Sequence, residues 1–228
     1  MSDGALSQDE IDALMSGTST GGFDFDAGAT GGEDLSESEK QSFVSIINSI
    51  IDTQSATLTG MMGKSVTISP PSIEIIDGES VSVLFDDKFV RVKASFNEGI
   101  EGYHSYLFTS ETSKAVAGLL TGLDQVELDD AALSAISEAV NTLSGSALTV
   151  FGDSINTTIM TEPAEAELMD STNSDIPAGN LVKLNYPVEI EGYPQAVFNE
   201  LFDISAVKAI LPQPTAEESF AGSGMDSM

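Results

Sequence analysis

The sequence predicts an α+β fold built from two similar halves, in which antiparallel strands support two long helices. The stretch IEGYHSYLF, residues 100–108, returns as IEGYPQAVF at residues 190–198. Asn48 and Asn141 lie in helical patterns 93 positions apart, and a proline stands 22 positions after each of them. Two matches in the same order and at nearly the same offset indicate an internal duplication with an approximate two-fold axis.

Each half is predicted to run helix, three strands, helix. In the first half the elements are expected at about 37–62, 65–76, the 81–97 region, 102–109 and 111–121. In the second half they are expected at about 130–152, 156–162, 180–188, 192–198 and 200–210. Apolar and polar residues alternate in Val81–Phe85, Val90–Phe96 and Leu181–Val188, which favours antiparallel pairing. Ser36 and Glu39 are spaced as a capping box for the first long helix.

Each long helix carries a polar ridge opposite its apolar side. In the second helix the ridge consists of Ser134, Glu138, Asn141 and Gly145, and in the first it consists of Gln41, Ser45 and Asn48. From physics alone, such a ridge is most simply a solvated helix face. Asparagine is a mediocre helix former, however, so helix formation alone does not explain its presence at the same point of both helices.

Composition excludes several classes of function. The 37 acidic residues outnumber the 8 basic ones, for a net charge of −29, so nucleic acid is not expected as a partner. The chain has no cysteine, which excludes disulfides, thiol nucleophiles and cysteine-ligated metals. No apolar run approaches the roughly 20 residues of a membrane span, so we expect a cytoplasmic protein without membrane insertion. The single histidine, His104, stands on a predicted strand and is expected to be structural.

The chain divides into four segments by composition. Residues 1–17 contain a short amphipathic helical pattern, and residues 18–35 are predicted to be a disordered acidic linker. The folded body is expected over 36–211, with halves of about 36–124 and 125–211. Residues 212–228 are predicted to be a disordered tail. A helix as short as the opening one is marginal alone in water, so it is expected to dock in a groove of its own domain or of a partner.

The spacing Ser134, three residues, Glu138, two residues, Asn141 resembles the motif of the CheC, FliY and CheX phosphatases of bacterial chemotaxis. That family's proline would fall at position 164, where this chain has Ala164, and Pro163 comes one position early. In the first half, Asn48 and Pro71 have the motif's spacing, but Ser45 occupies the glutamate position. The first half is therefore expected to hold, at most, a degenerate second site at Asn48 and Ser45.

The resemblance implies a CheC-like domain that hydrolyses the aspartyl phosphate of the response regulator CheY. In such a site Asn141 would position the attacking water, and Glu138 would pair with a lysine of the regulator. No metal or cofactor of the protein's own is implied, because magnesium is expected on the response regulator.

The opening segment resembles the CheY-binding segment at the start of FliM and FliY proteins. Its binding residues for phosphorylated CheY would be Leu6, Ser7, Asp9, Glu10, Ile11, Leu14 and Met15. The segment order is the one found in FliY, although nothing after residue 211 resembles the FliN-like domain that some relatives carry. The alternative function is a non-catalytic flagellar motor switch or scaffold protein that binds phosphorylated CheY. The deamidase CheD and flagellar switch proteins are further partners that the resemblance suggests, together with a location at the flagellar motor.

Overall fold

The computed structural model describes residues 34–171 and 175–212. Its helices are α1 (Glu37–Asn48), α2 (Ile51–Met62), α3 (Ser110–Thr121), α4 (Asp130–Ile155) and α5 (Ile204–Ile210), with a 3₁₀ helix at Gly78–Leu84. Its strands are β1 (Val66–Ile68), β2 (Ser72–Asp77), β3 (Lys88–Lys93), β4 (Phe96–Glu98), β5 (His104–Thr109), β6 (Met160–Thr161), β7 (Glu165–Asp170), β8 (Asn180–Ile190) and β9 (Ala196–Asp203).

The two long helical stretches begin and end at equivalent positions of the repeat. The first starts after the N-cap Ser36 and the second after the N-cap Asp129, 93 positions later. They end at Gly63 and Asn156, again 93 positions apart, and both of these residues adopt the left-handed conformation that closes a helix. The predicted capping box is present, because Ser36 accepts from the Glu39 N–H and donates its own N–H to the Glu39 carboxylate at 2.7 Å.

The prediction of one continuous helix over 37–62 is wrong, because the chain turns between α1 and α2. The Ser49 hydroxyl donates to the Ile46 carbonyl at 2.6 Å, and this local bond accompanies the end of α1. Ile50 and Ile51 are both buried at the turn, so packing fixes the direction in which α2 leaves. The second long helix, α4, has no such interruption over its 26 residues.

The sheet exchanges strands between the two halves. Its main path runs β1, β8, β9, β5, β3, β7, with β2 also paired to β8, and every pairing is antiparallel. β2 of the first half pairs with β8 of the second, and β7 of the second half pairs with β3 of the first. β5 and β9, which contain the ends of the two repeated segments, pair with each other at the centre. The predicted duplication is confirmed by this arrangement.

All five helices pack on one face of the sheet over the main hydrophobic core. The other face carries a smaller apolar cluster beside the 3₁₀ helix and two equivalent ion pairs. The buried Lys183 ammonium lies 2.6 Å from the Glu74 carboxylate, and the buried Arg91 guanidinium pairs with Glu167. Each pair joins strands from different halves, so the ion pairs repeat the two-fold relation.

The predicted strand at Val81–Phe85 is wrong, since most of this stretch belongs to the 3₁₀ helix. Alternation predicted one face for positions 81, 83 and 85, yet Val81 and Phe85 are buried while Val83 is 80% exposed. The Asp77 side chain accepts from the Glu79 N–H at 2.9 Å and caps this helix. Burial of residues four apart therefore replaces the expected alternation.

Several other observed helix and strand boundaries differ from the predicted ones. The strand expected at 65–76 is split into β1 and β2 around two prolines, and the one expected at 156–162 is only β6. β7 was not predicted. The last strand and helix, expected at 192–198 and 200–210, are β9 and α5, because Glu200 and Phe202 continue the strand. Within the described part of the chain, no helix has both the length and the apolarity to cross a bilayer.

Candidate functional site

The polar ridge of the second half stands on the outer side of α4. Its four residues, Ser134, Glu138, Asn141 and Gly145, are all exposed. The opposite side of the same helix is buried in the main core at Ile136, Val140, Leu143 and Ala147. The ridge is therefore a straight row of accessible groups on a helix that its apolar side fixes firmly in place.

The Asn141 side chain is exposed and yet held in one orientation. Its Oδ1 accepts the main-chain N–H of Ala164 at 2.8 Å. A backbone N–H can only donate, so the carboxamide oxygen must face Ala164 and the amino group must face away from it. Sequence reasoning noted Ala164 only as a departure from the motif and missed this contact. The available signal was that Ala164 has a main-chain N–H where the first repeat has Pro71.

The Glu138 carboxylate lies one helical turn before Asn141. It is exposed, and it makes no hydrogen bond or ion pair with any other part of residues 34–171 and 175–212. An ionised carboxylate offers only acceptors, whereas the outward amino group of Asn141 offers only donors. The ridge thus places a hydrogen-bond acceptor and a hydrogen-bond donor side by side. It includes no lysine or arginine, so it cannot itself supply a cation to a bound anion.

An open cleft continues the ridge toward the C-terminal end of α4. Its volume is about 610 Å³, and Gly145, Thr149 and Asp153 line it from the helix. Met160, 49% exposed, lines it from β6. A body that contacts the ridge from outside would also meet this cleft.

The corresponding ridge of the first half has a different geometry. Gln41, Ser45 and Asn48 are exposed, as predicted for a polar face. Asn48, however, is the last residue of α1, and the helix is interrupted immediately after it. The second-half ridge continues along one helix to Gly145, whereas the first-half ridge stops at the interruption.

His104 lies in the core, away from both ridges. It is 2% exposed, and its Nε2 lies 2.7 Å from Glu200 Oε1 while its Nδ1 lies 3.1 Å from the Ala94 carbonyl. Tyr186 donates its hydroxyl to the other Glu200 oxygen at 2.6 Å. Burial, followed by the nearby Glu200 carboxylate, raises the pKa of Tyr186 and of Tyr106 well above the usual value. These groups form a buried polar cluster between β5, β8 and β9. Sequence reasoning did not foresee Glu200 or the tyrosines there.

The predicted partner-binding residues of the opening segment lie outside the described residues. They are Leu6, Ser7, Asp9, Glu10, Ile11, Leu14 and Met15. The site geometry available for chemistry is therefore that of α4 and its contact with the chain before β7.

Comparison with known proteins gives relatives in bacterial motility. The chain is 27% identical, over 96% of its own length, to the flagellar motor switch phosphatase FliY of Bacillus subtilis, and it spans 60% of that relative's length. The crystal structure of Thermotoga maritima FliY matches with a TM-score of 0.69 at 26% identity, covering 77% of this chain and 95% of that one. The middle domain of FliM from H. pylori matches with a TM-score of 0.64 at 14% identity, covering 77% and 98%, which shows a shared fold. No protein-family model matches the chain.

Proposed function

We propose that this chain, which is similar to FliY proteins in sequence and in fold, hydrolyses the aspartyl phosphate of a CheY-type response regulator. The observation that carries this proposal is the exposed ridge on α4, where Glu138 and an oriented Asn141 stand one turn apart. The fold by itself is not the argument, since the FliM middle domain has the same fold. The proposal rests on the side chains that this chain places on the fold.

The shape of the ridge suits a substrate carried by another protein. A phosphoaspartate sits on the regulator, so the catalytic groups must protrude from this protein and enter the partner's site. Glu138 and Asn141 protrude from a helix that is packed along its other side and held at a strand, which keeps them rigid during insertion. Glu138 would pair with a basic side chain of the regulator and so align the helix with the phosphoryl group.

Positioning and charge stabilisation provide most of the catalysis in phosphoryl transfer. The Asn141 carboxamide neither gains nor loses a proton at physiological pH, so its contribution is orientation. Its amino group can donate to the attacking water or to a phosphoryl oxygen. Since the ridge has no lysine or arginine, the charge of the phosphoryl group must be neutralised mainly from the regulator's side.

The test is the lifetime of a radiolabelled phosphoryl group on the regulator, measured alone and with the full chain. We expect the wild-type protein to shorten this lifetime. Asn141→Ala and Glu138→Ala should each remove most of the acceleration. Asn48→Ala is the matched control, because Asn48 is the exposed equivalent in the first repeat and should change the rate little.

One outcome would contradict the restriction of catalysis to the second half, and another would contradict the proposal itself. Comparable losses from Asn48→Ala and Asn141→Ala would show that the first half is also active. A wild-type protein that leaves the lifetime unchanged while still binding the phosphorylated regulator would favour the alternative function, a non-catalytic switch or scaffold protein. Association with CheD or with flagellar switch proteins stays a prediction from the resemblance.

A further inference from the structure

The contact between Asn141 and Ala164 belongs to a seam between α4 and the chain entering β7. Ser137, one turn before Asn141, accepts the main-chain N–H of Ala166 at 2.9 Å and donates its hydroxyl to the Leu133 carbonyl at 3.0 Å. β7 is an edge strand, so its outward N–H groups have no neighbouring strand to receive them. Two side chains of α4 accept from this edge: Ser137 accepts the N–H of Ala166 in β7, and Asn141, the candidate catalytic asparagine, accepts the N–H of Ala164 just before the strand.

The first repeat lacks this seam. At the positions 93 residues earlier, Pro71 has no N–H to donate and Val44 has no acceptor for one. The helix there is joined to the sheet at other places, where Ser55 and Thr59 each accept a main-chain N–H from β1 at 3.0 Å. Of the two equivalent asparagines, only Asn141 has its carboxamide oriented by a contact within the described residues.

We infer that the main-chain N–H of Ala164 is a positioning group for catalysis, which fixes Asn141 with its oxygen inward and its amino group outward. The inference rests on the proposed function, and it is specific to this chain, because the proline that the family motif has at this position carries no N–H and could not make the contact. It also restricts the chemistry of Asn141: with Oδ1 already occupied, the side chain enters the phosphoryl site as a hydrogen-bond donor. Glu138, which offers only acceptors, is then the ridge group that can receive a hydrogen bond from the regulator.

The first variant is Ala164→Pro, which removes the N–H and recreates the Pro-Pro pair that the first repeat has at 70–71. The equivalent backbone accepts that pair, so the variant is expected to fold. Loss of one hydrogen bond should lower kcat by about threefold to tenfold, with KM unchanged, because the ridge still docks while the carboxamide turns freely. Ser137→Ala is the matched control: it breaks the neighbouring bond of the same seam and should alter kcat by less than about twofold.

Asn141→Asp separates orientation from donor chemistry. The aspartate keeps an acceptor for the Ala164 N–H but loses the amino group, so we expect a slowly exchanging Ala164 amide and little activity. Asn141→Ala should accelerate hydrogen exchange of that amide at least tenfold, and Ser137→Ala should not. Exchange is read by NMR on the full chain labelled with ¹⁵N, which tests the contact even if the wild-type protein proves to have no phosphatase activity.

The inference is overturned if Ala164→Pro folds and keeps the wild-type kcat, or if Asn141→Asp retains full activity. It is equally overturned if Asn141→Ala leaves exchange of the Ala164 amide unchanged. A wild-type chain without activity, together with a protected Ala164 amide, would instead contradict the proposed function and leave the seam as a structural contact.

Discussion

Replacing Gly145 by alanine should make the protein more stable and, under the proposed function, a poorer phosphatase. Gly145 lies inside α4 at an exposed position, and a Cβ atom added there would meet no heavy atom within 4 Å. Its φ angle is an ordinary helical one, so nothing in the described fold requires glycine at this point. Glycine in an exposed helix interior costs about 0.8–1 kcal/mol relative to alanine. The variant should therefore gain roughly 0.5–1 kcal/mol in its free energy of unfolding, which corresponds to about 1–4 °C in Tm.

The same substitution is expected to weaken binding of the regulator. Gly145 follows Asn141 by one helical turn on the same ridge and borders the open cleft, so a bound regulator would pass directly over its bare backbone. A new methyl group in a closely packed contact typically costs about 1–3 kcal/mol. We expect KM for the phosphorylated regulator to rise about tenfold, since 1.4 kcal/mol corresponds to a factor of ten, with a smaller change in kcat.

Gly60 provides the matched control. It is an exposed glycine of α2, and an added Cβ atom there would also meet nothing within 4 Å. Gly60→Ala should stabilise the protein somewhat less, because the position lies in the last turn of its helix, and should leave KM unchanged. The assays are thermal unfolding and initial rates over a range of regulator concentrations. A stabilised Gly145→Ala variant with an unchanged KM would show that the regulator does not approach the helix there, and a destabilised variant would show that the fold needs this glycine.

Three further predictions concern the core, the sheet and the opening segment. Because the pKa values of Tyr186 and Tyr106 are raised, the folded state keeps phenolic protons that the unfolded chain releases at high pH. Urea denaturation between pH 8 and 11 should show a constant free energy of unfolding below about pH 10 and a lower one above it. The decrease should be smaller in Tyr186→Phe. Glu74→Gln should lower the free energy of unfolding by about 1–2 kcal/mol by leaving the buried Lys183 unpaired, whereas Lys183→Met should be nearly neutral, and the opposite order would contradict this account. Removal of residues 1–17 should raise KM for the phosphorylated regulator and leave kcat unchanged, so unchanged kinetics at every concentration would argue against a tethering role.

The duplication could be predicted from the sequence because each repeated element has its own local residue pattern. Helical periodicity identified α4 to within three residues of its end, and the ridge from Ser134 to Gly145 follows from the geometry of any helix over that stretch. The repeated segments at 100–108 and 190–198 indicated two equivalent halves. The structure adds that the halves exchange strands, which no local pattern encodes.

The misassigned elements are those that packing decides. β7, with the sequence EAELMD, is rich in good helix formers, and it is a strand because it pairs with β3 along all six of its residues. The stretch Val81–Phe85 alternates like a strand, but only Val81 and Phe85 fill the smaller apolar cluster, and Val83 between them is exposed. In each case a long-range contact outweighs the local preference.

The candidate site shows the same division. The sequence alone determined that Glu138 and Asn141 are neighbours on one helix and that Ala164 stands where the first repeat has Pro71, since both facts depend only on spacing. Only the tertiary structure decided that the N–H of Ala164 meets the oxygen of Asn141. The helix and the edge strand come together through the packing of the whole domain, and a hydrogen bond depends on the distance and direction between two groups in space.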